Sequence, residues 1–208
     1  MRLILVLALL FGMVSASESA DPVSSLENLR ALRKKAADRS RRILFNNDGN
    51  EPVYLCRDTT PAELLRHRTA ALAGSQVDSL FYCTWSSGFG LFTHATRVGQ
   101  VFDTREAPFT QNKTADLLAA GTDPLRVMAE FSHKNGIEIF WSFRLNDTHD
   151  GSATEYGPVM FRVNRLKNEH PDWLIGAPEQ KPRFGAWSAV DFTRQEIREL
   201  AFRYVEEV

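Results

Sequence analysis

Apolar and polar positions follow three rhythms along this chain. The first is an unbroken block. Leu3 to Val14 is apolar apart from Gly12, and it follows the short basic start Met1-Arg2. Val14-Ser15-Ala16 then places small residues where a signal peptidase reads. Together these are the layout of a secretory signal over residues 1–16, and the run is too short for an ordinary membrane span. An uncleaved anchor is the competing reading. The small, polar stretch from Ser17 to Pro22 favours cleavage after Ala16 or Ala20. No other stretch is long and apolar enough to cross a bilayer.

The second rhythm is helical. Leu26, Leu29, Leu32 and Ala36 recur at helical intervals in a basic segment, residues 17–40, with Arg30, Arg33, Lys34, Lys35 and Arg39 around them. The predicted helix runs over Ser24 to Arg42. A membrane-surface helix is one reading of it. A solvated helix or linker leading into a domain at residues 41–208 is the plainer one, and it is preferred.

The third rhythm alternates strand and helix. Ile43 to Phe45 predicts a short strand running into Asn46-Asn47-Asp48-Gly49. Thr60-Pro61-Ala62-Glu63 reads as a capping box with proline at the first helical position; Leu64, Leu65, Ala71 and Leu72 form an apolar face, and Gly74 is the stop. Val77 to Trp85 alternates as a second strand. Asp123-Pro124 then opens a helix with Leu125, Met128 and Phe131 on one side and Gly136 at its end. In the third strand Ile137, Ile139, Trp141, Phe143 and Leu145 share one face, opposite Glu138, Phe140, Ser142 and Arg144. Long connections follow the second and third strands, Ser86 to Thr122 and Asn146 to Phe192, the latter with a helical piece near Val163 to Glu169. Thr193 to Glu196 reads as another capping box, and Ile197, Leu200, Ala201, Tyr204, Val205 and Val208 build an amphipathic helix with no stop signal.

Three strand-helix units argue for a parallel α/β fold. The expectation is the N-terminal part of a (β/α)8 TIM-type barrel, incomplete in this chain, because a full barrel needs eight units and typically about 250 residues. The helix without a stop is expected to mark a break in a longer protein. In such a barrel the greasier face of the third strand meets the outer helices, and Arg144 reaches the mouth.

Composition narrows the partners. A net charge of -1, about -2 once Arg2 leaves with the leader, lacks the basic face that neutralises phosphates, so a nucleic-acid binder is excluded. Cys56 and Cys83 either pair in an oxidising compartment or serve as small core residues, and neither has metal-knuckle spacing. Asn112-Lys113-Thr114 and Asn146-Asp147-Thr148 match the N-glycosylation pattern, which arises often by chance.

Ligands of parallel α/β folds bind beyond the carboxyl ends of the strands. That rule selects Asn47 and Asp48 after the first strand, Trp85 after the second, and Arg144, Asn146, Asp147 and His149 after the third. His94, Arg97, Trp173, Trp187 and Asp191 join the rim from the long loops, since long βα loops tend to be functional. Each has a plainer reading. Asn-Asp-Gly is an ordinary turn former, Trp85 can be packing alone, and a lone loop histidine is more often merely exposed. Arg144 needs a carboxylate or a ligand, and a structural pair with Glu138 or Asp48 is as good an account as a site. Asn146 to Asp150 is a weak metal signal, with no second histidine at helical spacing, and no metal or cofactor is expected. Asp48-Gly49 matches only part of the Asp-Asp-Gly of metal-dependent deacetylases. There is no phosphate loop, no Gly-x-Ser-x-Gly elbow and no Cys/His nucleophile pair. Asp48 and Asp147 could form the carboxylate pair that glycoside hydrolysis requires.

Three stretches carry a resemblance: Ile139 to Asp150, His170-Pro171-Asp172-Trp173-Leu174-Ile175-Gly176, and Val190-Asp191-Phe192. With His94 to Gly99, they resemble secreted bacterial proteins of the glycoside-hydrolase-like 10 type, from about Arg41 onward. The resemblance implies a (β/α)8 barrel acting on polysaccharide, with a catalytic carboxylate on a fourth strand that this chain lacks. It implies Arg144, Asn146, Asp147 and His149 as site-lining residues and assigns none of them a catalytic role. The expected function is a secreted or periplasmic carbohydrate-active hydrolase, with Trp85 or Trp187 stacking on sugar faces. Its rival is a non-catalytic glycan-binding or cell-surface protein. The expected partner is a polysaccharide or oligosaccharide, with no stable membrane insertion once the leader is gone.

Overall fold

The computed structural model describes residues 22–85, 87–180 and 182–208, so the expected signal at 1–16 lies outside the described residues. The chain divides into two units, Met1–Ser40 and Arg41–Val208. In the first unit, helix α1 (Pro22–Ala37) ends on Lys34 and Lys35, where cations suit the negative end of the helix dipole. Among the described residues no helix is long and apolar enough to cross a membrane.

The second unit contains strands β1 (Leu44–Asn47), β2 (Ser79–Tyr82), β3 (Leu91–Phe92), β4 (Gln100–Val101) and β5 (Glu138–Trp141). Its helices are α2 (Glu51–Tyr54), α3 (Pro61–Arg66), α4 (Thr114–Ala119), α5 (Pro124–Lys134), α6 (Tyr156–Val163), α7 (Arg165–Glu169) and α8 (Gln195–Glu207). Strands β1, β2 and β5 form one parallel sheet in that order, with Leu44 beside Ser79 and Ser79 beside Glu138. Strands β3 and β4 make a separate parallel pair.

The barrel expectation is overturned. Among the described residues the main sheet is open, with β1 and β5 at its edges, and no barrel closes. The strands are shorter than their alternation suggested. The second, expected over 77–85, ends at Tyr82, and Trp85 takes a φ of 84°, a left-handed backbone no strand runs through. The third, expected to reach Leu145, stops at Trp141, with one more ladder bond from the Ser142 amide to the Tyr82 carbonyl. The long connections do not run bare over the surface. They fold into β3, β4, α4, α6 and α7 and bury apolar clusters of their own.

Two helix starts follow their sequence signals and one does not. Thr60 Oγ1 accepts the Glu63 amide at 3.2 Å, and Asp123 accepts the Arg126 amide at 3.1 Å. The reciprocal half of the first box is missing, because Glu63 takes the Arg57 amide instead. At α8 the cap residue is Arg194, with no side-chain cap. Thr193 turns back and donates both its amide and its hydroxyl to Asp191, at 2.9 and 2.7 Å.

Helices α3 and α5 cover one face of the main sheet. Leu64, Leu80, Tyr82, Leu117 and Met128 are fully buried there, packed with Phe45 and Ile139. Cys56 belongs to this cluster and Cys83 lies buried just past β2. Both thiols are free, and burial pushes each up to about 12. On the opposite face Phe81 and Phe140 stack on each other at 4.7 Å. Trp85, Phe102 and Phe109 build the second cluster; Phe89, Phe92, Ile197 and Tyr204 build the third.

Candidate functional site

The parallel strands end together, so the residues after β1, β2 and β5 meet at one edge of the unit. Arg144, in the loop beyond β5 rather than inside it, sends Nη2 to Asp48 Oδ1 at 2.8 Å. Its Nη1 lies 3.6 Å from Asp147 Oδ2. The guanidinium therefore bridges the ends of β1 and β5. Of the two structural pairings open to it in the sequence, it takes Asp48.

Asp147 is the hub of this network, and its side chain is only 6% exposed. Oδ1 accepts the Gly88 amide at 2.9 Å and the His149 amide at 3.0 Å. His149 Nδ1 lies 2.8 Å from Oδ2, and the ring itself is 60% exposed. A carboxylate holding Nδ1 orients the imidazole and leaves Nε2 as its outward nitrogen. Trp187 stands beside the same turn, donating its indole N–H to the Gly151 carbonyl at 3.2 Å.

The other selected residues separate from this group. Asn47 is fully buried as a scaffold: its amide donates to Glu51 Oε1 at 2.7 Å, and its oxygen accepts the Gly49 amide at 3.0 Å. Asn146 ties down a loop, exchanging two hydrogen bonds with the Val190 backbone at 3.0 and 2.9 Å. Trp85 is a core residue stacked on Phe102 at 4.5 Å, and it has no face to offer a sugar. Neither glycosylation triplet presents a free asparagine. Asn112 is buried and donates to the Phe102 and Thr104 carbonyls, and Asn146 is occupied as described.

His94 belongs to a different place. Its Nδ1 lies 2.7 Å from Thr84 Oγ1, which also accepts the Trp141 indole N–H at 3.0 Å. Burial lowers its pKa, partly opposed by Asp123 and Glu207. It lines a groove of about 680 Å³ bounded by Leu118, Leu125, Ile139, Trp141 and Val208. The groove's walls are mainly apolar, and it contains none of the strand-end polar residues. The recess at the strand ends, lined by Cys83, Gly88, Arg144 and Asp147, is only about 10 Å³. The convergent chemistry is on this exposed rim and not in the larger groove.

Two neighbours of this network, Gly88 and Lys167, had no clear sequence signal, and a third, Asp150, had only the weak metal signal of its run. Gly88 delivers an amide to Asp147 with φ at 86°, and Lys167 and Asp150 form a buried pair behind the turn. The left-handed turn at Gly88 lies in the long connection from Ser86 to Thr122, where the strand-helix rhythm assigns no turn. Among the described residues no cluster of three or more histidine, cysteine or acidic side chains is placed to hold a metal ion.

No family model and no curated protein matches the chain.

Proposed function

We propose that the rim formed by Asp48, Arg144, Asp147 and His149 binds a glycan, in an exported protein acting on carbohydrate. The observation that supports this reading is the exposed Asp48–Arg144 pair, with an oriented imidazole beside it. Adjacent sugar hydroxyls each donate and accept, so a carboxylate next to a guanidinium matches a vicinal pair. Trp187, half-buried and next to the turn, supplies an apolar ring for sugar C–H faces.

Binding is the form of this reading that the geometry favours over hydrolysis. Hydrolysis requires a proton donor together with a nucleophile or base. Asp147 already accepts two backbone amides and sits against His149 and Arg144, so it is poorly placed to transfer a proton. Asp150 is buried on Lys167. Asp48 is the open carboxylate of the three. The hydrolase reading draws on the resemblance and on the Asp147–His149 pair, which presents an oriented proton-transfer group.

A glycan array followed by calorimetry on the wild type tests the proposal. The expected result is saturable binding of at least one oligosaccharide class, lowered about tenfold by Asp48→Ala. Absence of binding across the array would sink it. A reducing-end release assay on the same polysaccharides separates the hydrolase from the binder. Export is proposed from the Leu3 to Val14 run, and a mature N-terminus at Ser17 or Asp21 would support it.

A further inference from the structure

Behind the exposed rim lies an ion pair that glycan contact does not use. Lys167 Nζ sits 2.6 Å from Asp150 Oδ2, and neither side chain has any exposed surface. Among the described residues neither group has a further hydrogen-bond partner. Burying a pair this way is costly, and well-packed apolar residues would stabilise a core equally well or better. Its value therefore has to be sought in what it aligns.

The two partners sit on segments that both lead to the rim. Asp150 lies in the short 3-10 turn His149–Gly151, next to the imidazole and three residues after Asp147. Lys167 lies in α7, whose cap residue Asn164 accepts the Lys167 amide at 3.2 Å. The same Asn164 donates to the Phe89 carbonyl at 3.0 Å, and the preceding residue, Gly88, donates to Asp147. A side chain at Gly88 would come within 3.7 Å of Asp150 Oδ2. The result is a closed circuit running Asp147, Gly88–Phe89, Asn164, Lys167, Asp150 and back along the turn. Burial lowers the Lys167 pKa, and the Asp150 charge, with a smaller contribution from Asp147, opposes that shift.

We propose that Lys167 is a positioning residue for this rim: its buried contact with Asp150 holds the turn that aims Asp147 at His149 and Arg144. The proposal rests on the glycan reading for its functional consequence and on geometry alone for its structural one. A merely stabilising pair would be replaceable by a neutral pair with no change at the rim. A positioning pair would not, because the ion contact sets the spacing between α7 and the turn.

The test uses the full chain and the double variant Lys167→Met/Asp150→Asn, which leaves no unpaired buried charge. Three readouts are taken: thermal melting, the 15N imidazole resonances of His149, and calorimetry with the oligosaccharide that wild type binds best on the array. The expected result is a cooperative melt in which the His149 Nδ1 signal moves towards that of a free imidazole, with affinity about tenfold lower or weaker. A folded double variant with a wild-type His149 spectrum overturns the positioning role, whatever its affinity. If the double variant does not melt cooperatively, Asp150→Asn alone is read by the same His149 criterion. If wild type binds no glycan, the glycan reading fails, and the His149 spectrum still decides the role of Lys167.

Discussion

Two arginine–carboxylate pairs stand at opposite ends of the same three-stranded sheet, and they are built differently. At the amino end Arg41 grips Glu138 of β5 through both Nε and Nη2, at 2.5 and 2.6 Å. Ser79 adds a hydroxyl donor to Glu138 at 3.0 Å, and the guanidinium lies 5.6 Å over the Phe140 ring. These side chains are 21% and 19% exposed. At the carboxyl end Arg144 reaches Asp48 through one nitrogen, and the two are 39% and 40% exposed. A bidentate, shielded pair with an extra donor fixes geometry. A guanidinium shared between Asp48 and Asp147 and this open to water gains little stability from either contact. The amino end is thus a shielded latch and the carboxyl end a water-exposed edge, the one proposed to bind.

This contrast can be broken in graded ways. The largest loss belongs to the layer that both ends depend on. Leu80→Ala, at a fully buried position under α5, should cost about 2–5 kcal/mol in urea unfolding and weaken both ends. Glu138→Ala should follow, with a clear drop in urea midpoint, smaller than that of Leu80→Ala, since it strips Arg41 and Ser79 of a shared acceptor. An unchanged midpoint would mean the latch does not act as one. Next comes a pH step from His94 near the carboxyl end. Its folded pKa lies below the unfolded 6.5, so the unfolded chain takes up the proton first. Its contribution is whole above pH 6.5 and is lost as pH falls through the window below. Melting temperature against pH should show this loss, and His94→Gln should flatten it. The smallest effect on stability is expected from Asp48→Ala, within about 0.5 kcal/mol, despite its effect on glycan affinity. A large destabilisation there would make the exposed edge a second latch.

Much of the local structure was legible in the residues. The Thr60 and Asp123 caps both hold, because a side-chain oxygen three residues ahead of an amide needs only local chain geometry. The helix-facing positions Ile137 and Ile139 also hold, because strand alternation dictates which residues share a face. The Thr193 box fails for an equally local reason. Asp191 competes for both Thr193 donors and wins.

The candidate site was half legible. Asp48, Arg144, Asp147 and His149 converge because parallel strands bring their carboxyl ends to one edge. Asn47, Trp85 and Asn146 have the residue types of a site, but their partners are fixed by contacts distant in sequence. Asn47 reaches Thr69, Trp85 packs on Phe102, and Asn146 holds Val190. No spacing rule predicts such pairings.

By itself the sequence determined the order of the three main strands and the helices after them, the Thr60 and Asp123 caps and the helix-facing side of the third strand, since these depend on neighbours a few residues apart. Tertiary structure decided the open sheet in place of a barrel, and the folding of the long loops into separate cores. It also decided the burial of Lys167 against Asp150 and the choice of Asp48 as the partner of Arg144. These outcomes depend on which distant surfaces exclude water together, and a short-range pattern carries no record of that.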